Sequence, residues 1–176
     1  MRLFFALWPS SEAAESLASV ARDCALRFGG RPTRAETVHM TLAFIGEQPD
    51  ARLDEIVAAA GSVVFAPFDV QLDRLGVWRH NRLLWAGCRT VPEPLSALTG
   101  GLHLALAQAN VRFEAESRPF NPHVSLLRSV PASVFPVLPP SLSPRVWRCE
   151  RFVLIASQGL ADGVGYRHVA EFSARL

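Results

Sequence analysis

His39-Met40-Thr41-Leu42 recurs as His123-Val124-Ser125-Leu126, 84 positions later and close to half of a 176-residue chain. Each copy follows a long run of helical spacing and lies in a segment with strand character. In a strand of period two, the histidine and the hydroxyl residue two positions on leave from the same face, so each copy offers an imidazole beside a hydroxyl. If the two copies face one another, four polar groups converge on one cleft.

Between these anchors the chain reads as alternating elements. Leu3 to Trp8 is a short apolar strand ended by Pro9. Ser10 or Ser11 then caps an amphipathic helix carrying Ala13, Leu17, Val20 or Ala21, Cys24 and Phe28, stopped by Gly29-Gly30. Thr37 to Gly46 is a strand, Asp50 to Ala60 a helix, and Phe68 to Val77 and Leu83 to Cys88 are two strands about a turn at Arg79 to Arg82. Pro92 to Ala109 is a second long helix with the stripe Leu95, Leu98, Leu102 and Leu106. Phe120 to Arg128 is a strand entered through Pro122, and Val130 to Pro144, with five prolines, reads as loop. Strands at Val146 to Ser157 and Tyr166 to Phe172 flank the turn residues Asp162 to Gly165. Short connections and late hairpins point to antiparallel pairing in a single α+β domain.

Composition excludes several chemistries. All 18 basic positions are arginine, and an enzyme that needs an ε-amine, as in a Schiff base, a lysine adenylate or the usual P-loop, is ruled out. Arginine instead offers a planar fork for phosphate. The net charge of +2 is too small for a footprint on long duplex nucleic acid and suits a small anion or one nucleic-acid end. The charge is uneven: the first 110 residues carry −1 and the remainder +3. Cys24, Cys88 and Cys149 are far apart and read as buried thiols, which fits a reducing cytoplasm. Pro9 interrupts the opening apolar run before the core of a secretory leader is complete, and no stretch approaches the roughly 18 apolar residues of a membrane span.

Two imidazoles on opposite walls of a cleft suit phosphoryl transfer by general acid and base, because a histidine pKa of about 6.5 lets both protonation forms coexist near neutrality. The hydroxyls of Thr41 and Ser125 can donate to non-bridging phosphate oxygens, where charge collects in the transition state. No metal ligand set and no cofactor is called for. A Gly-x-Ser-x-Gly elbow is absent, which argues against a serine triad.

The segments RLFFALWPS, VHMTLAFIGE, RPFNPHVSLLR and LIASQGLADGVGYRHV give the chain a resemblance, over nearly its whole length, to the two-histidine phosphoesterases of the LigT/ThpR type, the RNA 2′,3′-cyclic phosphodiesterases. The resemblance implies a bilobal fold with a pseudo-twofold axis, two antiparallel sheets about a central cleft and helices outside. It implies hydrolysis of a terminal 2′,3′-cyclic phosphate to a 2′-phosphate, with His39 as proton donor and His123 as proton acceptor. It further implies that Arg128 and an aromatic of the first strand, Phe5, hold the nucleobase. Ser125 replaces the commoner threonine and keeps the hydroxyl. Arg128 stands five positions from His123, on the opposite face of a regular strand, so either the strand ends or bulges there or Arg128 is a surface charge.

The partners expected are RNA ends or small 2′,3′-cyclic nucleotides, bound by a monomer with no membrane attachment. Action on another cyclic phosphate, ATP-independent 2′-5′ ligation, and an RNA-end-binding module without turnover are the alternatives. His103 reads as structural or surface, His80 as part of a solvated hairpin tip, and His168 as lacking partners for a metal site. Trp78 and Trp85 are the tryptophans best placed to meet RNA.

Overall fold

The computed structural model describes residues 1–113, 120–134, 142–160 and 163–175. Among these residues are ten strands and three helices of more than one turn. They run β1 (Arg2–Leu7), α1 (Ser11–Phe28), β2 (Arg31–Pro32), β3 (Met40–Glu47), α2 (Leu53–Gly61), β4 (Phe68–Leu72), β5 (Arg74–Trp78), β6 (Leu83–Gly87), α3 (Glu93–Gln108), β7 (His123–Arg128), β8 (Arg145–Cys149), β9 (Arg151–Leu160) and β10 (Gly163–Ser173).

Local chemistry accounts for the helix ends. The Ser10 hydroxyl accepts from the Ala13 N–H at 3.3 Å, and Glu12 complements the positive end of α1. Gly29, at φ 70°, terminates the helix with its N–H donating to the Ala25 carbonyl at 2.8 Å. Pro92 and Pro94 stand at the start of α3, where no intrahelical donor is lost.

The strands form two antiparallel sheets. The larger has the order β10-β9-β1-β3-β7-β6-β5, with β2 added on β7; the smaller is β4-β8. Its two halves meet where β3 and β7 pair through Met40 and Val124, the second residue of each histidine motif. Outward from that pair, β1 on one side matches β6 on the other, and β9 matches β5. The unit β1-α1-β3 is thus answered by β6-α3-β7, with the pseudo-twofold axis passing between Met40 and Val124. Each helix crosses the axis: α1 packs on β7 and α3 on β3. Leu3, Phe5, Leu7, Leu17, Met40, Leu102, Leu106 and Val124 fill the layer between sheet and helices and are 0–2% exposed. Each such side chain contributes roughly 1.5–3 kcal/mol by leaving water.

Several boundaries differ from the sequence reading. The expected strand Phe68 to Val77 breaks at Asp73 and serves both sheets, β4 in the small one and β5 in the large. Val146 to Ser157 likewise divides at Glu150 into β8 and β9. Alternation of apolar and polar residues continues up to each break, so periodicity carries no sign of the change of sheet. The helix expected from Asp50 opens with a single 3-10 turn, Asp50–Arg52, and the strand expected from Thr37 starts only at Met40, after a 3-10 turn at Ala35–Thr37. Of the proline-rich segment 130–144, residues 135–141 lie outside the described residues; Ala132–Val134 form a 3-10 turn. Asp162 of the last expected turn is also outside them.

Candidate active site

Met40 and Val124 point into the core and are 0% exposed. Alternation therefore sends His39, Thr41, His123 and Ser125 to the opposite face of the sheet, where all four are half-buried. The Met40–Val124 register, extended one residue each way, sets His39 across from Ser125 and Thr41 across from His123. Each imidazole thus faces the hydroxyl of the other motif.

The histidines are held alike. The His39 Nδ1–H donates to the carbonyl of Thr37 at 2.7 Å, and the His123 Nδ1–H donates to the carbonyl of Asn121 at 3.0 Å. A carbonyl only accepts, so Nδ1 carries the proton in both rings, and Nε2 is the ring nitrogen that gains or loses a proton near neutrality. Trp8 stacks on the His39 ring at 5.4 Å and 7°, and Tyr166 meets it edge-on at 5.3 Å. On the other side of the axis the His123 ring meets Trp78 edge-on at 4.4 Å. Burial pushes His39 down from the usual 6.5 to about 4; Arg128 and His123 add to this, and the Thr37 carbonyl opposes it. In the empty protein His39 is therefore neutral at pH 7, and a bound anion, which stabilises the imidazolium, raises it.

The repeat extends beyond the histidine and the hydroxyl. Along β1 and β3, Phe5 pairs with Ala43 and Ala6 with Thr41, leaving Leu42 as the extra residue of a β-bulge. Along β6 and β7, Leu84 pairs with Leu127 and Trp85 with Ser125, leaving Leu126 as the extra residue. The same leucine of each motif is bulged. Each bulge resets the alternation and turns the residue five positions after the histidine back to the cleft face of the sheet: Arg128, which lines the cleft, in one half and Phe44, packed against Phe4, in the other. Arg128 lines the cleft together with His39 and Ser125, which a regular strand would forbid.

The expectation for Phe5 is corrected. Phe5 is 0% exposed and packs edge-on with Phe152 at 6.1 Å beneath the helices. The cleft side of β1 belongs to Phe4, Ala6 and Trp8, and the Phe4 ring lies 5.1 Å from His39. No Phe5 atom is available to a base.

The cleft has a volume of about 400 Å³, and its wall is completed by the β2 segment and by Val164 and Tyr166 of β10. Sequence reasoning passed over Tyr166, whose only signal was its place in the final apolar-polar strand. Its phenol is held protonated by burial. Trp78 is half-exposed beside His123, whereas Trp85 is 4% exposed and lies beneath it. His80 is exposed on the hairpin tip, and His168 packs against Trp8. His103 is structural: its Nε2 bonds the Leu42 carbonyl at 3.0 Å. The three cysteines are buried free thiols, with Cys88 and Cys149 pushed up to about 11 and about 12 by burial. Among the described residues no three His, Cys, Asp or Glu side chains gather as a metal site, and no helix is long and apolar enough to cross a membrane.

Comparison with known proteins gives a consistent picture. Residues 7–85 match the model of the LigT-like phosphoesterase family. The chain is 32% identical to the RNA 2′,3′-cyclic phosphodiesterase of Escherichia coli strain K12, over 89% of this chain and 86% of that protein. It is 28% identical to the enzyme of the same name from Thermus thermophilus, over 99% and 91%. Crystal structures of Escherichia coli LigT, in apo form and complexed with 3′-AMP, superimpose with a TM-score of 0.87 at 28% identity, covering 99% of this chain and 98% of theirs. With a relative this similar along nearly its whole length, the same fold and paired His-x-[Thr/Ser]-Leu strands, the chain belongs to the LigT-like phosphoesterase family.

Proposed function

We propose that this protein hydrolyses the terminal 2′,3′-cyclic phosphate of RNA to a 2′-phosphate, with His39 as general acid and His123 as general base. The phosphate sits over the Met40–Val124 pair, between the two imidazoles. His123 Nε2 takes a proton from water as the water oxygen bonds to phosphorus. The bond from phosphorus to the 3′ oxygen breaks in line with that attack, and His39 Nε2–H gives its proton to the departing oxygen. Thr41 and Ser125 donate to the two non-bridging oxygens. The turnover ends with His39 neutral and His123 protonated, and exchange with solvent restores both.

The observation that carries this reading is the register at Met40 and Val124, which faces each imidazole toward the other motif's hydroxyl across a pseudo-twofold axis. The names of the relatives and the 3′-AMP complex of Escherichia coli LigT point the same way. Without a bound anion His39 is neutral; the phosphate anion favours the imidazolium, so His39 is charged when it acts as the acid. The nucleobase lies against Arg128 and Tyr166, a guanidinium and a ring that accept any base by stacking.

The test is incubation with each 2′,3′-cyclic nucleotide in buffer containing a chelator, with the product identified. Formation of the 2′-phosphate is expected. Bound substrate returned unchanged would instead favour an RNA-end-binding module.

A further inference from the structure

We infer that the strap from Arg31 to Arg34, with Arg128 opposite, is a subsite for a second phosphate, the phosphodiester that joins the terminal nucleotide to its 5′ neighbour. The inference rests on the hydrolytic reading above and names its substrate class: oligonucleotide ends rather than cyclic mononucleotides.

The first observation is an unneutralised pair of like charges. Arg31 and Arg128 are direct cross-strand partners in β2 and β7, so their side chains leave from one face. Like charges in that relation are destabilising. Elsewhere on the surface Arg22, Arg52, Arg148 and Arg151 each stand within 4 Å of a carboxylate. Arg31, Arg34 and Arg128, like several other surface arginines, have no such partner among the described residues, and these three line the cleft that holds His39 and Ser125.

The second observation is that the strap is held rigid by its backbone while its guanidinium groups stay free. The Thr33 N–H donates to the Leu126 carbonyl at 2.8 Å, and the Thr37 hydroxyl donates to the Arg34 carbonyl at 2.9 Å. The chain enters through Gly30 at φ 92°, where a Cβ would come to 3.0 Å from the Arg128 carbonyl. Positions fixed in this way suit a ligand that supplies the missing negative charge, because little ordering is left for binding to impose.

The third is charge arithmetic. A cyclic phosphodiester carries one negative charge, and three guanidinium groups lining one cleft with His39 exceed what it can balance. The next phosphate of an RNA chain hangs from the 5′ oxygen of the same ribose, so it falls within reach of a rim that borders the reacting phosphate. A charge-assisted contact to that group is worth about a tenfold gain in transition-state binding.

The experiment compares kcat/KM for a 2′,3′-cyclic mononucleotide with a free 5′ hydroxyl, the same compound bearing a 5′-phosphate, and a dinucleotide with the same cyclic end. The dinucleotide is expected to exceed the mononucleotide by about tenfold. That ratio should fall to about twofold or less in the double variant Arg31→Gln/Arg34→Gln, while the exposed Arg112→Gln keeps it. A gain for the 5′-phosphorylated mononucleotide alone would assign the subsite to a terminal monophosphate and overturn the diester assignment. Equal values for all three would overturn the subsite itself. If none is hydrolysed, it is the hydrolytic reading that fails, and the same ratio in dissociation constants then decides the subsite.

Discussion

The carbonyls of Leu42 and Leu126, the bulged leucines 84 positions apart, each accept a hydrogen bond from a group outside the bulged pair of strands. Leu126 accepts from the Thr33 backbone at 2.8 Å, and Leu42 bonds the His103 imidazole at 3.0 Å. The second contact rests on a side chain of α3, which makes it removable. His103→Ala is expected to cost about 1–3 kcal/mol and lower Tm by several degrees, with His103→Gln recovering part of the loss. Thermal unfolding of the two variants checks this, and an unchanged Tm in His103→Ala would contradict it.

The depressed His39 gives stability a definite pH dependence. Its folded value of about 4 lies below the ordinary 6.5, so between these values the unfolded chain binds the extra proton. This group's contribution therefore weakens as pH falls from about 6.5 towards about 4, and changes no further below that. Urea unfolding at a series of pH values should show a flatter dependence in His39→Asn over that window. Arg128→Gln removes one of the depressing charges and should raise His39, which NMR titration of the ring reads directly.

Gly76 is fixed by its neighbour. A Cβ there would overlap the Trp85 indole, which lies across Gly76 and Gly87 beneath His123. Gly76→Ala should displace Trp85, cost about 1–3 kcal/mol and lower kcat more than it raises KM. Tryptophan fluorescence and steady-state kinetics together test it.

On the proposed reading, the stacking role that the sequence suggested for Phe5 falls to Tyr166. Phe5→Leu should lower stability by about 1 kcal/mol and leave KM within twofold, since its ring lies in the core. Tyr166→Ala should raise KM by about tenfold, the loss of one stacked base. A larger KM effect from Phe5→Leu would restore the original assignment.

How far the sequence could lead is visible at these positions. The paired histidines and hydroxyls stood out because packing alone has no reason to repeat both, and α1 announced itself through its caps, Ser10 and Gly29. Phe5 was misread because β1 is buried on both faces, so Leu3-Phe4-Phe5-Ala6 has no polar residue to show which parity meets the cleft. Arg128 depended on a bulge at Leu126, and Leu126-Leu127 looks the same in a regular buried strand. Tyr166 reaches His39 only through the order β10-β9-β1-β3, a set of long-range pairings that local pattern does not encode. The two-residue β2 offers no periodicity, although it places Arg31 across from Arg128.

The central claim is that His39 and His123 form one acid-base pair across the pseudo-twofold axis. Its most direct measurement is the turnover of a 2′,3′-cyclic dinucleotide end by His39→Ala, His123→Ala and the double variant, in chelator, beside the affinity of each for the 2′-phosphate product. The account predicts that each single variant loses about 10²–10⁴ in kcat, that the double variant loses little more, and that product affinity changes by less than tenfold. A single variant that keeps turnover near that of the parent would contradict the pairing.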